Sequence, residues 1–292
     1  MNFLKKYLPF IESITLGASA FGVLLRFWFL RVGADEKGLY PAGHISWILL
    51  IILSCLFIVV LFLLAGYAGK NRFYAPNFPA SITGAAGFAA GAAGLFVAGS
   101  RDLITTGIKL YRIAGVIGIL AGVAMLLGGW CRLKGKKPHF IVFMLPCAYL
   151  ALRLFCMGHA WGDEPEFSRF IFAFLATAGL LLSCYHLWAF CVDMGQRSMS
   201  LFIGLLAFYL CIVSVVGNAD SFFYLAMALW LFTNLCPNKK PALPVSPAPQ
   251  EPQPEAPAAE EPAAPTEPAP AVNSEVDAII AEILRETAQE KE

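Results

Sequence analysis

Long apolar runs separated by short polar breaks fill residues 1–240 of the chain. Each run is close to the roughly 20 residues that a helix needs to cross the hydrocarbon of a bilayer. The first follows Lys5 and Lys6 and continues to Leu30. The others cover about 45–67, 79–99, 113–130, 140–157, 170–192, 201–216 and 222–236. Ala18-Ser19-Ala20 mimics a signal-peptidase site, but the run goes on past it and Glu12 breaks the short core a signal would need, so the first span is expected to stay uncleaved. The last two runs are short and separated only by Gly217-Asn218-Ala219-Asp220; a bent helix with a re-entrant piece is the alternative there. Nothing alternates with the period of a barrel strand, and an open sheet leaves backbone groups unsatisfied in lipid. The pattern therefore predicts an all-α polytopic membrane helix bundle of about eight transmembrane helices.

After Lys240 the chain changes character. Residues 241–272 are Pro, Ala and Glu with almost no bulky side chain, too little apolar surface to fold, and read as a disordered linker. In residues 273–292, Ser274 and Asp277 have capping-box spacing, and Val276, Ile279, Ile280, Ile283 and Leu284 recur at i, i+3, i+4, i+7 and i+8. That is a short amphipathic helix, marginal alone in water and suited to docking on a partner.

Composition sharpens the division. Charged residues are 14% of the chain and apolar ones 58%, with a mean hydropathy of +0.67. The net charge of +1 hides a split: 19 Lys/Arg against 9 Asp/Glu before Pro241, and 2 against 11 from there on. Basic residues gather in alternate loops (Lys70, Arg72, Arg132, Lys134, Lys136, Lys137, Arg197, Lys239, Lys240). Most acids fall in the opposite ones, including the corners Asp35-Glu36 and Asp163-Glu164, and Asp102 and Asp220. The positive-inside rule then puts both termini in the cytoplasm, with the plasma membrane as the expected location.

Gly84, Gly87, Gly91 and Gly94 lie at helical spacing in the third span, and Gly115, Gly118 and Gly122 in the fourth. Small residues let helix backbones approach in lipid, so these are expected to be packing faces. Landmarks repeat between the halves. Arg26 before Asp35-Glu36 matches Arg153 before Asp163-Glu164, and Leu53-Ser54-Cys55 matches Leu182-Ser183-Cys184. The expectation is a 4+4 parallel internal repeat, 1–133 and 134–240.

Arg26 and Arg153 lie inside apolar runs, where a charge needs a reason. They snorkel, pair with the acidic corners, or form a pseudo-symmetric anion or ligand site. Four histidines have no metal spacing, and the eight cysteines form no CxxC pair, so no metal and no cofactor is expected. No nucleophile elbow, phosphate loop or dinucleotide fingerprint is present, so the chain is not expected to be an enzyme. The first functional expectation is a membrane-anchored interaction or scaffold protein whose partners are the bilayer, a cytoplasmic protein at the terminal helix and a second copy of the chain, with no nucleic acid. The alternatives are a small-molecule or anion permease using Arg26 and Arg153 and, behind it, an intramembrane lipid-modifying enzyme.

Overall fold

The computed structural model describes residues 10–33, 43–67, 72–105, 109–161 and 167–235. Among them every regular element is a helix: α1 Ile11–Val32, α2 Ile45–Ala65, the single turn α3 Tyr74–Asn77, α4 Ile82–Thr105, α5 Lys109–Leu133, α6 Ile141–Trp161, α7 Phe167–Cys191, α8 Arg197–Ser214 and α9 Ser221–Leu235. Seven are long and apolar enough to cross a membrane, and α9, at 15 residues, is shorter. Contacts divide the chain between Pro244 and Val245. The corners Asp35, Glu36, Asp163 and Glu164, the linker and the terminal stripe from Val276 to Leu284 lie outside the described residues.

The surface identifies the solvent. Along α2, Ile48, Ile52, Leu56, Val59, Phe62 and Leu63 are exposed while Leu50, Phe57, Leu61 and Leu64 are buried. On α5 the exposed positions include Leu120, Val123, Leu126 and Leu127, and the buried ones are Ala114, Gly118, Ala121, Gly122 and Met125. The outward residues are as apolar as the inward ones and larger. Water does not tolerate a contiguous apolar surface of that size, whereas lipid requires it. The chain is a polytopic helical membrane protein.

Helices α4 to α9 pack each on the next, and α9 returns to α4, closing a ring. The pair α1–α2 lies against α8. The two sequence halves are thus packed differently: the first splits into a peripheral hairpin and a ring pair, while the second runs continuously through the ring. The matched landmarks are not accompanied by matched neighbours.

Short α9 is a full partner of α4. At one end Asn234 donates through Nδ2 to the Gly84 carbonyl at 3.3 Å, and at the other Asp220, one residue before α9, accepts from Arg101 at 2.8 Å. The last helix therefore runs antiparallel to α4. The glycines divide their work between two neighbours. Gly87 and Gly94 turn toward α9, where a methyl at Gly94 would stand 2.7 Å from the Ala226 Cβ, while Gly84 and Gly91 meet both α5, at Arg132 and Met125, and α9, at Asn234 and Trp230. The approach of α4 to α5 uses Gly99, Gly115 and Gly118, and a methyl on Gly115 would meet the Gly99 carbonyl oxygen at 2.6 Å.

One boundary differs from the sequence expectation. The sequence pattern puts Arg101 and Asp102 in a loop and Lys109 and Arg112 in the same loop, but α4 continues through Thr105 and α5 begins at Lys109. The reason lies outside the local sequence: Asp102, inside a helix and buried, is neutralised from α6.

Candidate functional site

The neutralising group is Arg153. It stands one turn after Tyr149 on the inner face of α6, and its Nη1 donates to the Tyr149 hydroxyl at 2.6 Å and to Asp102 Oδ2 at 3.2 Å. Tyr149 in turn donates to the same Asp102 oxygen at 2.9 Å. Nη2 donates to Asp220 Oδ2 at 2.6 Å, and the other oxygen of Asp220 takes Arg101 at 2.8 Å. The Phe223 ring covers the Arg153 guanidinium at 4.8 Å. Asp220 itself is held by its turn, where its N–H donates to Asn218 Oδ1 at 3.0 Å.

Two arginines and two aspartates thus sum to zero charge. Bringing them together ties α4, α6 and the α8–α9 turn at one end of the ring. A buried ion cluster gains little over apolar packing, but losing one member leaves an uncompensated charge, so it enforces one arrangement of the helices.

Arg26 is buried in a different setting. Its guanidinium lies 5.6 Å from the Phe29 ring, 5.9 Å from Trp47 and 5.6 Å from Phe172, an aromatic enclosure built by α1, α2 and α7. None of these rings touches Arg153, whose neighbours come from α4, α6 and α9. The structure does not bring Arg26 and Arg153 to one site. His44 caps α2 with its ring, accepting from the Ser46 N–H at 3.3 Å. Cys184 and Cys211 are buried packing residues without disulfides. Among the described residues no group of three His, Cys, Asp or Glu side chains could hold a metal.

Two surface clefts are apolar. One of about 260 Å³ lies between α1 and α2, walled by Ile14, Phe21, Leu56 and Phe57. Another of about 410 Å³ lies between α2 and α8, at Phe62, Leu63, Tyr67 and Phe202. Neither includes Arg26 or Arg153 in its wall.

Sequence reasoning missed two arginines. It counted Arg132 and Arg197 among basic loop charges, but Arg132 is wholly buried at the end of α5 and Arg197 opens α8 half-buried. The signal was present for Arg132: Met125, Gly128, Gly129 and Arg132 fall at i, i+3, i+4 and i+7, so the buried face of α5 runs straight into it. No protein-family model matches the chain, and neither curated proteins nor solved structures give a match.

Proposed function

We propose that the protein is a membrane-anchored interaction protein, in which the helical bundle holds the acidic linker and presents the terminal amphipathic helix to a cytoplasmic partner. The observation that carries this reading is the closed accounting of the bundle's carboxylate end. Asp102 and Asp220 are both taken by Arg153, which makes that region a fastening between helices. The chain's other distinctive chemistry is then the tail, with 11 acids and an apolar stripe after Lys240. A linker of about 30 residues has an r.m.s. reach near 30 Å when flexible, enough to search the membrane surface for a groove.

The permease alternative faces a specific obstacle. An anion reaching Arg153 has to displace a carboxylate that is already hydrogen-bonded there, and Arg26 stands in a separate enclosure.

The test uses the full-length protein in its native membrane. A photo-crosslinker at Ile280 or Ile283 should capture one defined partner, and Ile280→Asp should abolish the capture while the melting temperature of the bundle stays unchanged. A tail that crosslinks to nothing, together with an unchanged phenotype on deletion of residues 273–292, rejects the interaction reading.

A further inference from the structure

The end of the ring opposite the carboxylate cluster carries two guanidiniums over a single aromatic ring. Arg132 Cζ lies 5.4 Å from the centre of Phe78 and Arg197 Cζ lies 5.9 Å from it. Arg132 has no exposed surface at all. Its Nε, Nη1 and Nη2 all lack a hydrogen-bond acceptor, and none of the ion pairs among the described residues includes it. The Tyr74 phenol lies beside the guanidinium, a neutral neighbour that brings no charge to offset it. Gly84 makes the room, since a methyl there would stand 2.7 Å from Arg132 Nε.

A buried guanidinium with a full set of unsatisfied donors is among the costliest groups a fold can hold, and a second arginine nearby adds repulsion. A face-on aromatic ring offsets only a small part of that. Elsewhere in the same bundle Arg153 receives two carboxylates, so the fold does supply acids where they are needed. Here the missing component has to come from outside the described chain.

The surroundings specify it. Arg197 is the first residue of α8, and the Gln196 side chain makes no cap hydrogen bond, so the helix start beside Arg197 has no cap from Gln196. A helix N-terminus beside guanidinium forks is the arrangement that holds a tetrahedral oxyanion. Burial pushes the Tyr74 phenol up against the opposing pull of the Arg132 charge, so it stays protonated and remains a donor. Arg197 also donates to the Leu235 carbonyl at 3.1 Å, which fixes its guanidinium against the end of α9. Its partial exposure gives the cluster a rim. Arg72, Lys134, Lys136 and Lys137 belong to the same end of the bundle, a basic surface that concentrates anionic head groups.

We propose that Arg132, Arg197 and the α8 N-terminus form a binding site for a phosphate group, either the head group of an anionic phospholipid or a soluble phosphate, with Tyr74 as an additional donor. The site lies at the other end of the ring from the Arg153 cluster, and its test does not depend on what the tail binds.

The experiment measures the melting temperature of the purified full-length protein against two probes at matched ionic strength. One arm compares nanodiscs of phosphatidylcholine with nanodiscs containing phosphatidylglycerol. The other adds inorganic phosphate in place of chloride to protein in neutral detergent. At a hundredfold excess over the dissociation constant the gain should be about 5 °C for a protein of this size. The gain should vanish in Arg132→Gln and shrink in Arg197→Gln. A gain with lipid alone identifies a head group, and a gain with inorganic phosphate identifies a soluble anion; either supports the site. If Arg132→Gln does not fold, native mass spectrometry of the wild type and Arg197→Gln replaces it, with fewer retained phosphatidylglycerol or phosphate adducts expected in the variant. No gain with either probe, or equal gains in wild type and both variants, or equal adducts, overturns the proposal.

Discussion

Arg153 and Arg132 are both enclosed arginines, 4% and 0% exposed, at opposite ends of one ring of helices. Arg153 meets Asp102, Asp220 and Tyr149 within hydrogen-bond distance, and aromatic Phe223 closes over it. Arg132 has the aromatic cover, from Phe78, and no carboxylate. The difference shows that burial alone does not say what an intramembrane arginine is for. A guanidinium whose acceptors arrive from three other points of the chain is a fastener. One whose donors all remain open is prepared for something else.

The largest effect should come from breaking the fastener. Arg153→Met leaves two carboxylates facing each other near the Tyr149 hydroxyl, and removing one member of a buried ion cluster costs about 3–5 kcal/mol. We expect unfolding at markedly lower temperature in detergent. A double-mutant cycle of Arg153→Met with Asp102→Asn should recover part of the loss, because the pair acts as a unit. Additive losses would mean that the Arg153–Asp102 contact seen at 3.2 Å carries no coupling.

The same substitution at the other end should have the opposite sign. Arg132→Met removes open donors from a dry site and keeps most of the packing volume. In phosphate-free buffer and zwitterionic detergent we expect a gain of about 1–2 kcal/mol, the scale of an unsatisfied buried polar group. Thermal or chemical unfolding of the two Met variants side by side checks it. A loss at Arg132 comparable to that at Arg153 would erase the contrast between the two ends.

Why one end was legible and the other not follows from where the information lies. Each span is written locally, because lipid demands about 20 apolar residues in a row, so the runs of all the helices but the single turn α3 stand out. Arg26 and Arg153 interrupt such runs and are readable as buried charges. The partners of Arg153 are not readable, since Asp102 lies 51 residues back and Asp220 lies 67 residues on. With no sign of that neutralisation, Asp102 reads as a loop residue, and α4 reads as ending too early. Arg132 is hidden for the opposite reason. It directly precedes Leu133, Lys134, Gly135, Lys136 and Lys137, and that company makes it look solvated although its helical face is the buried one.

A smaller effect tests the room made for Arg132. Gly84→Ala places a methyl 2.7 Å from Arg132 Nε and forces the guanidinium to shift. The expected cost is about 1 kcal/mol, the low end for overpacking, because the clashing atom belongs to a flexible side chain. The cost should disappear in the Arg132→Met background. An equal cost in both backgrounds would assign the strain to the α4–α9 contact at Asn234 instead.

The smallest effect comes from an exposed pair, which marks the limit of the comparison. Lys137 donates to Asp193 at 2.6 Å, with side chains 40% and 49% exposed. In water such a pair contributes about 0–1 kcal/mol and is screened by salt. Asp193 also has a φ of 59°, the left-handed conformation, just after the end of α7. Its N–H donates to the Phe190 carbonyl at 3.4 Å and the next N–H, of Met194, to Ala189 at 2.9 Å, the paired bonds of a Schellman turn. Glycine is favoured over other residues at that position by up to about 1 kcal/mol. Asp193→Gly therefore exchanges a surface ion pair for a relaxed backbone. At low salt the two terms should cancel to within about 0.5 kcal/mol, and at 1 M salt, where the pair is screened, the variant should be the more stable protein. Melting curves of wild type and Asp193→Gly across a salt series read this directly. A variant that is destabilised equally at every salt concentration would mean that Lys137 and Asp193 behave like the enclosed cluster at Arg153, despite their exposure.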